Sequence, residues 1–176
     1  HVMTWQNEKI AVNDIDYLIN IVGCDIWVEG GITIINVDEY KNEKLIIVDI
    51  GGFTRDSISI DYNDIMGGKT EKRGIISLQN ELFEIFKEDN GITDLDSRGR
   101  QELFEKIRDD KPFILQGDEI LTTKYNKYIN KYITDTIDSL EETYGVDDKK
   151  LLFICGGSLD LRTFIVKYTH TYNIAF

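Results

Sequence analysis

The chain has 176 residues, enough for one compact domain that buries roughly 70% of its unfolded surface. Apolar residues make up 41% and charged residues 30%, which excludes wholesale disorder, collagen and a disulfide scaffold. The net charge of −12, from 20 basic and 32 acidic residues, argues against direct binding of a phosphate backbone.

Two cysteines, Cys24 and Cys155, stand far apart, and with only His1 and His170 they offer neither a zinc site nor a serine-type triad; both read as small buried residues of a reducing cytoplasm. No apolar run nears the roughly 20 residues of a membrane helix, and no signal peptide is visible, so no membrane contact is expected. The start at His1 reads as a trimmed or partial chain.

In chain order, Ile15–Ile21 alternates as a strand, and Cys24–Val28 reads as its hairpin partner. Leu45–Ile50 is an apolar run broken only by Asp49, which suits a central strand covered on both faces. Gly51–Thr54 then forms a turn, and Arg55–Tyr62 alternates back as a second strand. Met66-Gly67-Gly68 marks a further turn. Ile75–Lys87 is an amphipathic helix. Residues 90–118 read as an insertion with a short helix near 99–109. A long helix follows, with Leu121, Tyr125, Tyr128, Ile129, Tyr132, Ile133, Ile137, Leu140 and Tyr144 on its core side, ending at Gly145. The tyrosines read as packing, with ligand stacking as the lesser reading. Leu151–Ile154 is a buried strand, followed by Gly156-Gly157, a helix to about His170 and a last strand. This order predicts an α/β architecture with a mixed sheet.

The chemistry concentrates at two glycine turns. A carboxylate in an apolar strand is costly unless a metal or a hydrogen-bond network compensates it, and Asp49 stands just before a diglycine. Gly51 and Gly52 free main-chain N–H groups to cradle a phosphate, Thr54 adds a hydroxyl, and Asp49 can hold Mg²⁺ through water. The other reading is a plain hairpin turn capped by Asp49. Cys155–Ser158 follows a buried strand and allows a flat ligand to approach the main chain, although Gly-Gly there also serves packing.

These two turns, in this order, resemble the actin, Hsp70 and sugar-kinase ATPases. Asp49–Asp56 (DIGGFTRD) is similar to their second phosphate motif and Cys155–Ser158 to their adenosine motif. Leu45–Ile60 and Gly74–Leu78 are most similar to ParM-type plasmid-segregation actins, and Ile15–Glu29 resembles the end of the family's first lobe. The resemblance implies a ribonuclease H-like actin-type lobe: a mixed β-sheet flanked by helices, with a small α-rich insertion at about 90–118. Residues 1–28 would close the first lobe, 29–43 would connect the lobes, and 44–176 would form the second.

The resemblance also implies roles. Asp49 would hold the Mg²⁺ shell, and Gly51, Gly52, Phe53 and Thr54 would meet the phosphates of ATP (or GTP), with Asp56 supporting the turn. Gly156, Gly157 and Ser158 would border the adenosine. Glu29 would position and activate the attacking water; its other reading is a solvated cap. Cys155, Val28 and Arg55 depart from the family's usual glycine, proline and small or apolar residue. The implied activity is ATP hydrolysis coupled to filament assembly in the cytoplasm, with a DNA-binding adaptor linking filaments to plasmid DNA. A non-polymerising kinase and a nucleotide-free interaction module are the alternatives. Residues 94–105 also match a calcium loop in part, but Arg98 stands where an oxygen ligand belongs, which makes calcium a poor reading.

Overall fold

A computed structural model describes residues 5–12, 15–21, 40, 42–62 and 64–176. Two strands, β1 (Trp5–Val12) and β2 (Ile15–Ile21), form an antiparallel hairpin. The sequence reading names β2 but not β1, and its proposed partner at 24–28 lies outside the described residues.

The main sheet has five strands: β3 (Lys44–Ile50), β4 (Arg55–Asp61), β5 (Asp64–Glu71), β8 (Lys150–Ile154) and β9 (Asn173–Ala175). Their spatial order is β5-β4-β3-β8-β9. The first three pair antiparallel, while β3-β8 and β8-β9 pair parallel, so the sheet is mixed. Between β5 and β8 run α1 (Ile75–Asn90), α2 (Ser97–Arg108), a small hairpin of β6 (Phe113–Leu115) and β7 (Asp118–Ile120), and α3 (Asn126–Tyr144). After β8 come the short helices α4 (Cys155–Asp160) and α5 (Arg162–Ile165). Among the described residues no helix is long and apolar enough to cross a membrane.

Strand alternation divides β3 between two cores. Ile46, Val48 and Ile50 face the larger one, where Leu78, Leu82, Phe83 and Phe86 of α1 meet Ile129, Ile133 and Ile137 of α3. Leu103, Phe104 and Ile107 of α2 join the same cluster, so the segment read as an insertion shares the core. Leu45 and Ile47 face a smaller cluster with Ile58, Ile60 and Leu152. Asp49 lies in register with that second face, beyond the apolar residues.

Gly67 and Gly68 lie inside β5, paired with Ser59 and Ile58, and the reversal comes earlier, where Tyr62 takes a φ of 51°. Leu121 is 72% exposed and precedes the long helix, which starts at Asn126. Cys155 is exposed rather than buried, and Cys24 lies outside the described residues. The helix expected to run to His170 is broken into short pieces.

The calcium reading also fails on geometry. Asp96 caps α2 by accepting from the Gly99 N–H at 2.7 Å, and Asp94 is bound by Arg100 at 2.8 Å. Residues 97–108 are helical, so the acids cannot wrap a cation. Among the described residues no group of three or more potential metal ligands is present.

One buried charge stands out. Arg55, only 2% exposed, lies opposite Glu71 across β4 and β5 and meets its carboxylate at 2.5 Å and 3.2 Å. Its guanidinium also donates to Thr136 of α3 and lies 5.9 Å from the Tyr132 ring centroid. Burial pushes the Glu71 carboxyl up, but the hydrogen bond and charge of Arg55, with Lys69 beside them, outweigh that and hold it below its ordinary 4.5. A lowered native value gives stability that is present above pH 4.5 and is lost as the pH falls through the folded value. Glu71→Gln is expected to cost about 2 kcal/mol at pH 7, because it leaves the buried guanidinium without its counter-charge. Urea denaturation between pH 7 and pH 3 checks this: the two proteins' stabilities should converge as the pH drops, and a constant gap would refute it.

Candidate functional site

The β3–β4 hairpin and the β8–α4 junction lie at one end of the sheet because their strands are parallel neighbours. Asp49 pairs in register with Ile154, so both chains leave the sheet at the same level. Gly157 brings them closer. A Cβ on Gly157 would stand 2.4 Å from the Ile50 carbonyl oxygen and 2.8 Å from its Cγ2, so only glycine lets α4 rest on the end of β3. At Gly156 a Cβ would meet nothing within 4 Å, which leaves open space at the exposed start of α4.

The first turn is held from behind. Gly51 N–H donates to the Thr54 carbonyl at 2.9 Å, which closes the hairpin. The carbonyls of Gly51, Gly52 and Phe53 accept from the N–H groups of Ile75, Ile76 and Gly74 at 2.9, 3.0 and 3.1 Å. The turn therefore caps α1, whose first amides would otherwise be orphans and whose N-cap Gly74 offers no side chain. In a trans peptide the C=O and the following N–H point in opposite directions. With three successive carbonyls aimed at α1, the N–H groups of Gly52, Phe53 and Thr54 point away from it. Among the described residues none of the three donates to a backbone carbonyl outside the strand ladder. Such a row of aligned N–H groups is an anion-binding concavity.

Gly74 permits this arrangement, since a Cβ there would lie 2.5 Å from the Gly52 oxygen and 2.7 Å from that of Gly51. The sequence marks Gly74 only as the start of the helix entry that resembles ParM-type actins; its signal is a glycine placed directly before the apolar period of a helix. Phe53 is 76% exposed at the tip of the turn.

Two carboxylates border the turn. Asp49 and Asp56 are directly opposite each other across β3 and β4, and each is half-buried. Asp56 accepts from Thr54 Oγ1 at 2.8 Å and from Thr70 Oγ1 at 2.5 Å, so the Thr54 hydroxyl is turned back to brace the hairpin. Like charges directly opposite in an antiparallel pair repel. A cation between or beside them would remove that cost.

At the second turn Cys155 takes a φ of 69°, in the left-handed region that favours glycine. Ser158 is fully buried, and its Oγ has no hydrogen-bond partner among the described residues. Leu159 and Asp160 lead into a groove of 660 Å³ that also borders Arg108, Lys111, Asn126 and Thr163. Arg108, at the end of α2, spans to Asp160 at 2.8 Å and links α2 to α4. Arg108 borders this groove, a placement that motif spacing does not reveal. Glu29 lies outside the described residues.

The fold has solved counterparts. The archaeal actin homologue Ta0583 superposes with a TM-score of 0.69 at 12% identity, over 97% of this chain and 56% of that one. A 15-stranded ParM filament from Clostridium botulinum gives a TM-score of 0.59 at 19% identity, over 77% of this chain and 43% of that one. Bacillus thuringiensis ParM with ATP gives 0.55 at 18% identity, over 80% and 42%. The chain has an actin-like fold. It spans only 42–56% of the length of these three proteins. No family model matches the chain, and no curated protein matches it.

In this actin-like arrangement the two glycines of the second turn have different duties: Gly157 supports packing, while Gly156 borders space. Gly157→Ala is therefore expected to destabilise by about 1–3 kcal/mol, because a backbone carbonyl must move. Gly156→Ala should stay within about 0.5 kcal/mol. Thermal or urea unfolding of the two variants measures the difference; equal effects would contradict the packing.

Proposed function

We propose that this chain is the second, nucleotide-binding lobe of a ParM-like ATPase that assembles into filaments. The observation that carries the reading is the meeting of the two glycine turns: Gly157 rests on Ile50, and the Gly51–Thr54 turn begins at the next residue. The residues fit a Mg²⁺-nucleotide. Outward N–H groups of Gly52, Phe53 and Thr54 suit phosphate oxygens, and the Asp49–Asp56 pair suits a hydrated cation, since Mg²⁺ keeps several waters and prefers carboxylates. The open space at the exposed Gly156 suits a sugar or base. When bound, Mg-ATP would supply a phosphoanhydride bond whose hydrolysis releases energy.

In this reading Asp49 orients the cation's water shell, Gly51–Thr54 orients the phosphates, and Asp56 holds Thr54 in place. Gly156, Gly157 and Ser158 border the nucleoside. Glu29 positions a water and takes its proton, a role suited to phosphoryl transfer, in which positioning and charge stabilisation dominate. ATP is the expected nucleotide, with GTP as the alternative. The ParM filament among the fold's counterparts supports self-association in this reading. A DNA-binding adaptor would join an acidic filament of this net charge to plasmid DNA in the cytoplasm.

Asp49→Asn separates function from fold. Removing one of two opposed carboxylates should raise stability by about 0.2–1 kcal/mol while abolishing the Mg²⁺ dependence of ATP binding. Denaturation and titration with a fluorescent ATP analogue, with and without Mg²⁺, measure both; unchanged Mg²⁺ dependence would exclude Asp49 from the cation site.

Light scattering of the two-lobed protein with Mg-ATP tests assembly. Polymers that form with ATP and dissolve on hydrolysis support the filament reading. Turnover that requires a small acceptor identifies a kinase, and no nucleotide binding identifies an interaction module. Glu29→Ala is expected to slow phosphate release at least tenfold with assembly retained; unchanged turnover removes Glu29 from the mechanism.

A further inference from the structure

Arg55 occupies an unusual place. It is the first residue after the Gly51–Thr54 turn, paired with Ile50 across the hairpin, yet its side chain is buried on the helix-covered face. Three side chains from two elements meet its guanidinium. Glu71 of β5 accepts from Nε and Nη2, Thr136 of α3 accepts from Nη1, and the Tyr132 ring of α3 lies 5.9 Å away. Thr136 in turn donates to the Tyr132 carbonyl at 2.7 Å, so two successive turns of α3 are tied to one cation.

Tyr132 returns the connection to the glycine turn. Its hydroxyl donates to the carbonyl of Arg73, and the Arg73 guanidinium lies 5.7 Å from the Tyr132 ring centroid, held by Asp135 at 3.3 Å. The next residue is Gly74. From there the N–H groups of Gly74, Ile75 and Ile76 clamp the carbonyls of Phe53, Gly51 and Gly52. The contacts thus form a closed circuit: turn, Arg55, α3, Arg73, Gly74 and back to the turn.

We propose that Arg55 is a positioning residue for the glycine turn, acting through Tyr132 and the Arg73–Ile76 segment to keep the N–H groups of Gly52, Phe53 and Thr54 aimed outward. The phosphate part of this inference rests on the nucleotide reading; the clamp itself does not. An arginine suits the task because its planar fork reaches Glu71 and Thr136 at once, which a lysine ammonium on a flexible stem does not reproduce. The circuit has a consequence that ordinary core packing lacks. Loss of Arg55 should release the turn selectively, leaving the neighbouring strand ladder intact.

Native-state hydrogen exchange on the 176-residue chain reads this directly. Four amides report the clamp: Gly51, Gly74, Ile75 and Ile76. In Arg55→Met these four should exchange at least tenfold faster relative to the amides of Ile47 and Leu152 in the central ladder. Tyr132→Phe keeps the ring and removes only the hydroxyl that meets Arg73, so it should show the same selective loss even where Arg55→Met fails to fold. Exchange that changes uniformly, or not at all, at the four amides in Tyr132→Phe would overturn the proposal.

A binding comparison supplies the second readout. ATP affinity should fall at least tenfold in the variant while adenosine affinity is kept, since only the phosphate turn is released. Equal loss of both ligands would mark Arg55 as a general stabilising residue and overturn the positioning role. Two-lobed wild-type protein that binds neither ligand would count against the nucleotide reading, and the exchange pattern would still decide the clamp.

Discussion

The site depends on one close approach: the backbone of Gly157 against the carbonyl of Ile50. Parallel pairing of β3 with β8 sets the two strand ends level, but level ends do not by themselves make a shared site. Ordinary side chains at the start of α4 would hold that helix off the sheet by the width of a methyl group or more. With glycine the gap closes, since the position of an added Cβ is already taken by the Ile50 oxygen at 2.4 Å. The residue after Ile50 opens the first glycine turn, so this contact fixes the distance between the two turns. Gly74 repeats the device behind the first turn, against the carbonyls of Gly51 and Gly52. Backbone packed on backbone leaves few soft degrees of freedom, which is what a site made of main-chain N–H groups requires.

The same region carries features that fold stability alone does not favour. Asp49 and Asp56 face each other across an antiparallel ladder, a pairing that costs rather than contributes. Cys155 holds a left-handed backbone that its Cβ disfavours, at a cost of roughly 1–2 kcal/mol. Ser158 buries a hydroxyl with no partner among the described residues. In β3 and β8, away from this end, alternation, register and burial agree. Departures of this kind that cluster at one strand end mark a place shaped by something other than folding.

Much of this was legible in the sequence because it rests on local pattern. Asp49 shows as the single break in an apolar run, and the flanking diglycines show where the backbone bends. The amphipathic periods of α1 and α3 follow from Leu78, Leu82, Phe86 and from Ile129, Ile133, Ile137. Glycine is ambiguous without its neighbours, however. Gly67-Gly68 reads as a turn by composition, yet it lies in an edge strand opposite Ser59 and Ile58, next to a shift in the β4–β5 register, where glycine often marks a bulge. Leu121 fits a helical period by spacing but lies before the first turn of α3, beyond reach of the core. Arg55 and Arg108 were not legible as site residues. Their importance comes from partners 16 to 81 positions away for Arg55 and 52 away for Arg108, and a charge in a polar stretch gives no local sign of burial.

Strand geometry explains how one short segment serves both chemistry and support. Arg55 and Asp56 are adjacent, so the period of two sends them to opposite faces of β4. Asp56 joins Asp49 on the side of the smaller apolar cluster, where Thr54 and Thr70 hold its carboxylate. Arg55 joins Ile50 on the side covered by α1 and α3, where it meets Glu71, Thr136 and Tyr132. The anionic pair and the buried cation are thereby kept on separate faces of the sheet. Were they on one face, Arg55 would neutralise the carboxylates and leave no reason for a hydrated metal ion to bind there. A one-residue slip of β4 would make that exchange and would also turn Ile58 and Ile60 away from their cluster, so the apolar register that stabilises the sheet also protects the charge pattern of the site.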